Sequence, residues 1–314
     1  MNHGKVTHEI AKGLLELKKR IERAEIPSSK IDETLNIATW NIREFGKKRR
    51  TEAAIHYIAE ILGQYDLIGI VELRDNLEDL ARTLKILGPY WKAVYSDMIP
   101  DAGGNRERIA YIYDKRAVTF TGLAAEANPP RKKKDGEYLS EITWWRSPYI
   151  ASFRAGSFDF IVITTHIRWG ASEKERIKEL KLLAEWVYQK SAEKYHEDKD
   201  IIVMGDFNIP SIDSELFKIV TSKGLMIPET LSKQTFGTNL EKNKRYDQIL
   251  HLPIYKNKFT NHGGVLDFYT GGIKPLFGEM EKSKFTYQMS DHLPLWIQLN
   301  TDIEGEKLEQ IIKG

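Results

Sequence analysis

Apolar residues recur along this chain in two rhythms, and each predicts its own kind of element. A spacing of three and four marks helices. Ala54, Ile55, Ile58, Ile61 and Leu62 give one over 51–63, closed by Gly63. A second runs from about Leu77 to Leu87 and is stopped by Gly88-Pro89. A long one covers 172–195, with Ile177, Leu180, Leu183, Trp186 and Val187 on one stripe, and a short one lies near 213–222. Continuous or alternating β-branched runs mark strands: "TLNIATWNI", "LIGIVEL", "RIAYIYD", "AVTFTGL", "PYIASFR", "FDFIVITTH", "IIVMGD", "YDQILHL" and "LPLWIQL". Helices alternate with strands only in places. The pattern therefore predicts an α/β protein, a two-layer mixed β-sandwich flanked by helices, rather than a purely parallel sheet.

The segment before the first strand has its own stripe, Ile10, Leu14, Leu17 and Ile21, set among Lys and Arg. It reads as a helix packed on the domain by one face; the alternative is a membrane-surface or partner-binding helix. Acidic residues mixed into its polar face favour packing. "PSSKIDE", 27–33, reads as a connector. The expected organisation is an N-terminal helical extension over 1–30, the main domain over 31–302 and a C-terminal tail over 303–314.

Composition narrows the picture. The 314 residues are 41% hydrophobic and 11% aromatic, enough for a substantial core. No window resembles a membrane span or the apolar run of a signal peptide, so the expected location is cytoplasmic, without a membrane. Cysteine is absent, which removes disulfides, thiolate nucleophiles and cysteine-ligated metals. The formal net charge is only +2, so global charge does not announce nucleic-acid binding. Two local basic clusters remain, "GKKRR" after the first strand and "RKKKDG" in the long loop 123–145. Each is either a solvated loop or the border of an anion site.

The polar residues at strand ends change the picture more. Asn41 ends the first strand, Glu72 the second, and His166 ends "FDFIVITTH". Asp206 and Asn208 follow "IIVM"; Asp247 opens "DQILHL"; Asp291 and His292 precede "LPLWIQL". Singly, each has an ordinary explanation as a turn former or a satisfied structural residue. If the strand ends converge on one sheet edge, they make a hard, oxygen-rich site with histidines. Such a set suits Mg²⁺ or Mn²⁺ rather than structural zinc, and offers acid and base groups for displacement at phosphorus.

The ordered set "TWNIREFG", "GIVELRD", "TTH", "GDFN", "YDQIL" and "SDHLP", spread over 36–299, resembles the endonuclease/exonuclease/phosphatase superfamily. Within it, "VELRDN", "RERIAYIYDKRAV", "RSPYIASF" and "RYDQIL" are most similar to the deoxyribonuclease I-like branch. Met204 before Gly205 and Tyr246 before Asp247 depart from the inositol-phosphatase pattern.

The resemblance implies a role for each residue. Glu72 would bind the divalent metal, with Asn41 and Asp291 beside it. Asp206 and Asn208 would hold the nucleophilic water or the scissile phosphate. His292 with Asp247, and His166 with Glu107, would form two oriented acid/base pairs on opposite sides of an in-line displacement. Arg146 would neutralise phosphate charge, and Tyr246 would lie near the nucleic-acid backbone. Asp291 and His292 are neighbours, so both reach one site only from a loop or a strand start. Tyr111 reads as a core aromatic. Arg168 and Trp169 are either a base-stacking pair or plain rim residues.

The expected function is a divalent-metal-dependent phosphodiesterase acting on nucleic acid, DNA first, as an endonuclease. The rivals are the same chemistry on RNA, a phospholipid head group or a small phosphate ester, and an inactive nucleic-acid-binding module.

Overall fold

Thirteen strands and nine helices are defined among the described residues, 1–98, 106–128, 132–134, 137–139, 144–194, 198, 200–255 and 257–313 of a computed structural model. In chain order the strands are β1 (Thr34–Phe45), β2 (Leu67–Leu73), β3 (Trp91–Tyr95), β4 (Arg108–Asp114), β5 (Thr119–Glu126), β6 (Lys132–Lys134), β7 (Glu137–Leu139), β8 (Tyr149–Ala155), β9 (Phe158–His166), β10 (Ile201–Asp206), β11 (Asp247–His251), β12 (Phe259–Val265) and β13 (Leu295–Asn300). The helices are α1 (His8–Glu22), α2 (Glu52–Leu62), α3 (Glu78–Leu87), α4 (Glu173–Ala192), α5 (Glu215–Thr221), α6 (Glu229–Ser232), α7 (Lys274–Phe277), α8 (Lys282–Gln288) and α9 (Glu304–Lys313).

One sheet has the order β12-β13-β1-β2-β4-β3 and the other β11-β10-β9-β8-β5; β6 and β7 form a separate ribbon. Both sheets are mixed. β1 pairs with β2 in parallel and with β13 antiparallel, and β10 pairs with β9 in parallel and with β11 antiparallel. The two sheets pack face to face through Leu35, Ile37, Tyr111, Phe160, Val162 and Met204. Helices cover the outer faces. α1, α2 and α8 lie on the first sheet, against Ala38, Trp40 and Ile42, and α4 and α5 on the second, against Ile161, Ile163, Ile201 and Val203.

The alternation of strand side chains aims the site. On β1, Leu35 and Ile37 point into the inter-sheet core, so Thr39 and Asn41 follow on the same face. The same count runs from Ile202 and Met204 to Asp206, from Phe160 and Val162 to His166, from Ile249 back to Asp247, and from Tyr111 and Ile109 back to Glu107. β1, β9 and β10 end where β4 and β11 begin. One end of the sandwich thus changes from apolar to polar within one step of each strand.

α1 is integral to this architecture. Leu14 and Leu17 join the cluster of α2 and β1. Arg20 is buried and donates to the carbonyls of Phe268 and Gly272 at 2.8 and 3.0 Å. α9 is different: no residue of it is buried. β3 and β12 are strands that periodicity did not mark; both lie at the edges of the first sheet, where half-exposed, polar or glycine-rich sequence is tolerated. No described helix is long and apolar enough to cross a membrane.

Candidate active site

At that polar end lies a cavity of about 560 Å³. Asn41, Glu72, Arg146, His166, Arg168, Asp206, Asn208 and His292 all line it, eight of the residues singled out from sequence.

Asp206 is the hub. Its Oδ2 accepts from Asn41 Nδ2 at 3.1 Å and lies 3.7 Å from Nε2 of both His166 and His292. Its Oδ1 accepts the backbone N–H of Asn208 at 2.9 Å. Each imidazole is held from behind. His166 Nδ1 is 2.7 Å from Glu107 Oε2, and His292 Nδ1 is 2.8 Å from Asp247 Oδ2. The two histidines therefore present their far nitrogens to one carboxylate oxygen, each with its tautomer set by a buried carboxylate.

The backbone bends to make this possible. Gly205, with φ +133°, brings β10 so close to β9 that a Cβ there would sit 2.0 Å from the Thr165 carbonyl oxygen. Asn208 adopts φ +52°, and its amide donates to the Ile167 carbonyl at 2.7 Å. Glu72 has the wrong parity for its strand, since Val71 faces the inter-sheet core. A register shift between Ile70 and Leu73 and a φ of +64° turn its carboxylate into the cavity. There Oε1 accepts from Asn41 at 3.0 Å and Oε2 from the Glu44 backbone N–H at 2.8 Å. The His292 segment is pinned by Trp40 Nε1 on its carbonyl (2.9 Å) and by Ser290 Oγ on its N–H (3.0 Å).

Electrostatics follow from these contacts. Burial disfavours the His292 cation, but Asp247, Asp206 and Asp291 outweigh it and push its pKa up to about 10. Burial pushes the Asp247 carboxyl up, against the pull of His292. The proton of this pair belongs on His292, because Asp206 and Asp291 add their attraction there. At His166, burial and the Arg146 charge oppose the cation, yet Glu107 and Asp206 still raise its pKa above the ordinary value. Glu107 is shared: its other oxygen is 2.9 Å from Arg146.

Four expected residues, Glu107, Asp247, Asp291 and Tyr246, stand apart from the cavity lining. Glu107 and Asp247 lie behind their histidines. Asp291 is half exposed and lies 3.7 Å from Arg43. Tyr246 precedes β11, and its ring sits 5.9 Å from His292, so it flanks the site. Tyr111 is a fully buried core residue whose hydroxyl reaches the Tyr149 and Val162 carbonyls. In "GKKRR", Lys47 and Arg49 pair with Glu44 and Glu78, while Arg50 is buried and donates to the Arg43 carbonyl, so three of its four cations are engaged within the fold. Arg131, Asp135 and Gly136 of "RKKKDG" lie outside the described residues.

Sequence reasoning missed Trp145, Arg176 and Glu179 around the mouth. The signal was available for two of them. The apolar stripe of α4, Val187, Leu183 and Leu180, continues back onto Arg176 and Glu179, both buried charges.

The αββα sandwich with a histidine–carboxylate cleft at one end defines a phosphoester-hydrolase type of fold and site. The chain belongs to the endonuclease/exonuclease/phosphatase family, whose profile matches residues 38–277. It is similar to a deoxyribonuclease of Thioalkalivibrio sp. (strain K90mix), 29% identical over 294 residues that cover 87% of this chain and 72% of that one. It is also similar to deoxyribonuclease-1 of Bos taurus, 24% identical and covering 85% and 92%. Among solved structures, the mannosyl-6-phosphatase of Bacteroides thetaiotaomicron shares the fold with a TM-score of 0.54 at 16% identity, covering 84% of this chain and 99% of that one. The chain is thus a hydrolase of nuclease or phosphodiesterase type.

Proposed function

We propose that the protein is a divalent-metal-dependent phosphodiesterase that cuts nucleic acid internally, with DNA as its substrate. The observation that carries this is the symmetry of the cleft: two carboxylate-backed imidazoles, each with Nε2 at 3.7 Å from the same Asp206 oxygen. Such a pair suits an in-line displacement, in which one side takes a proton from the attacking water and the other gives one to the leaving oxygen.

The geometry also supports an assignment of the two roles. His292 has the Asp247 carboxylate to itself, with Asp206 and Asp291 adding to it, so it keeps its proton and acts as the acid. His166 shares Glu107 with Arg146 and gives up its proton more readily, so it acts as the base. Asp206 orients the water between them. Arg146 and the Asn208 amide meet phosphoryl oxygens without adding negative charge.

The donors present fit a hard cation. Asn41 Oδ1 is buried without a hydrogen-bond partner among the described residues, directly beside the Glu72 carboxylate. Asp206, Asp247 and His292 also lie within 4.8 Å of one another, but a cation there would compete with the Asp247–His292 hydrogen bond. Glu72 and Asn41 are therefore the better holders. A bound Mg²⁺ or Mn²⁺ would neutralise charge on the phosphoryl group. The names of the deoxyribonuclease relatives support the choice of DNA. Cleavage of linear duplex DNA by His166→Ala and His292→Ala protein, compared with wild type in Mg²⁺, tests the reading. Both variants should lose activity by on the order of a hundredfold or more; wild-type rates in either would remove the two-histidine mechanism.

A further inference from the structure

We infer that the mouth of the cleft carries a nucleobase-binding platform, Trp169 backed by Arg176, which takes the base next to the scissile phosphate out of the helical stack. The inference rests on the nucleic-acid reading of the site.

Trp169 follows His166 by three residues and lines the same cavity. The Arg176 guanidinium lies over its ring at 4.3 Å and also donates to the Trp169 carbonyl at 2.7 Å. Arg176 itself is buried. With one face of the indole capped in this way, the residue is still 53% exposed. More than half of its surface is therefore left for a ligand. Tyr246 meets the indole at 90° with 5.8 Å between centroids, and reaches His292 on its other side. The open indole thus adjoins the reacting end of the cleft.

A second indole repeats the arrangement. The Arg168 guanidinium lies 3.7 Å from the centre of the Trp145 ring, which is also exposed. Glu179 of α4 is buried beside both, where the backbone amides of Arg168 and Trp145 hold down a carboxyl that burial pushes up. Arg176 and Glu179 are one helical turn apart, so α4 clamps the aromatic loop from below. Gly170 closes the turn with φ +70°, where a side chain would strike Glu175.

Large exposed aromatics held this firmly lose little entropy on binding, which suits recognition. Their ligand has to present a flat π surface within reach of a phosphate. A nucleobase does so; a sugar phosphate does not. Stacking of one base on an aromatic ring is worth about 5- to 150-fold in binding and tolerates any base. An internal duplex base must first be unstacked to reach it, at a cost of a few kcal/mol, so the platform favours single-stranded, frayed or unpaired DNA.

The test is a single-turnover cleavage series in Mg²⁺ on a single-stranded oligonucleotide. A base-free tetrahydrofuran residue is moved through it one position at a time. Wild type should lose about tenfold or more when the residue beside the cut is base-free, and little elsewhere. Trp169→Ala should cleave the intact strand about tenfold more slowly, and should no longer respond to base removal; Trp169→Phe should recover most of the loss. Equal sensitivity to base removal in wild type and Trp169→Ala would overturn the platform while leaving the nuclease reading standing. Failure of wild type to cleave any oligonucleotide would overturn both.

Discussion

Replacing Asp247 by asparagine removes one negative charge and almost no volume from a fully buried position. The structure says what that charge does: it accepts from His292 Nδ1 at 2.8 Å and stabilises the imidazolium. Asparagine cannot stabilise the cation, and its amide can favour the wrong tautomer. If His292 donates the proton to the leaving oxygen, Asp247→Asn removes most of that donation. A positioned proton-transfer group contributes on the order of 10²- to 10⁴-fold. Taking about a thousandfold for each single variant gives about 4 kcal/mol for Asp247→Asn and about the same for His292→Ala. Acting independently, the two would cost about 8 kcal/mol together, or about a millionfold. Acting as one unit, the double variant would remain near a thousandfold. The assay is single-turnover DNA cleavage at saturating enzyme for all four proteins, with thermal melts as the control for folding. Losses that multiply, in proteins that melt normally, would refute the pairing.

Gly205→Ala should destabilise the fold by about 3 kcal/mol or more, since its Cβ would lie 2.0 Å from a backbone oxygen at a φ of +133°; an unchanged denaturant midpoint would contradict that close approach. His251 is buried, and burial pulls its pKa down to about 4. The unfolded chain then binds the extra proton first, so this stability is complete above about pH 6.5 and is lost as pH falls towards about 4, amounting to up to about 3 kcal/mol. Replacing His251 with phenylalanine should flatten stability over that window, measured by urea melts at each pH. Lys258 is buried and paired with Asp200. Lys258→Met alone should cost about 3–5 kcal/mol by stranding the carboxylate, and adding Asp200→Leu should restore part of it; equal loss in both would mean that packing, not charge, sets the cost.

The strand ends were legible because buried strands announce themselves by composition and their last residues broke the apolar run. Asn41, His166, Asp206 and Asp247 needed only the alternation of their own strands to reach the cleft. Glu72 did not follow from that rule, because its bulge changes the parity of the strand and no local sequence signal marks it. Asp291 is paired with Arg43, 248 positions away in sequence, a contact that adjacency to His292 does not reveal. The basic cluster after the first strand could not be read from sequence for a similar reason. Lys47 and Arg49 look free in sequence, yet Glu44 and Glu78 sit beside them in the fold. Edge strands β3 and β12 escaped because one side of each is open to water, which relaxes the hydrophobic pattern on which strand recognition depends.

Covalently closed supercoiled plasmid has no ends and no phosphomonoesters, so a nick in it is internal phosphodiester hydrolysis and nothing else. The purified protein should be incubated with such a plasmid in Mg²⁺, in Mn²⁺ and in EDTA, alongside single-stranded RNA and a sugar 6-phosphate. The account predicts conversion to open-circular DNA in either metal, none in EDTA, and a rate that falls steeply with salt as phosphate contacts are screened. Release of phosphate from the sugar ester with the plasmid left intact would contradict it, and so would nicking at full rate in EDTA.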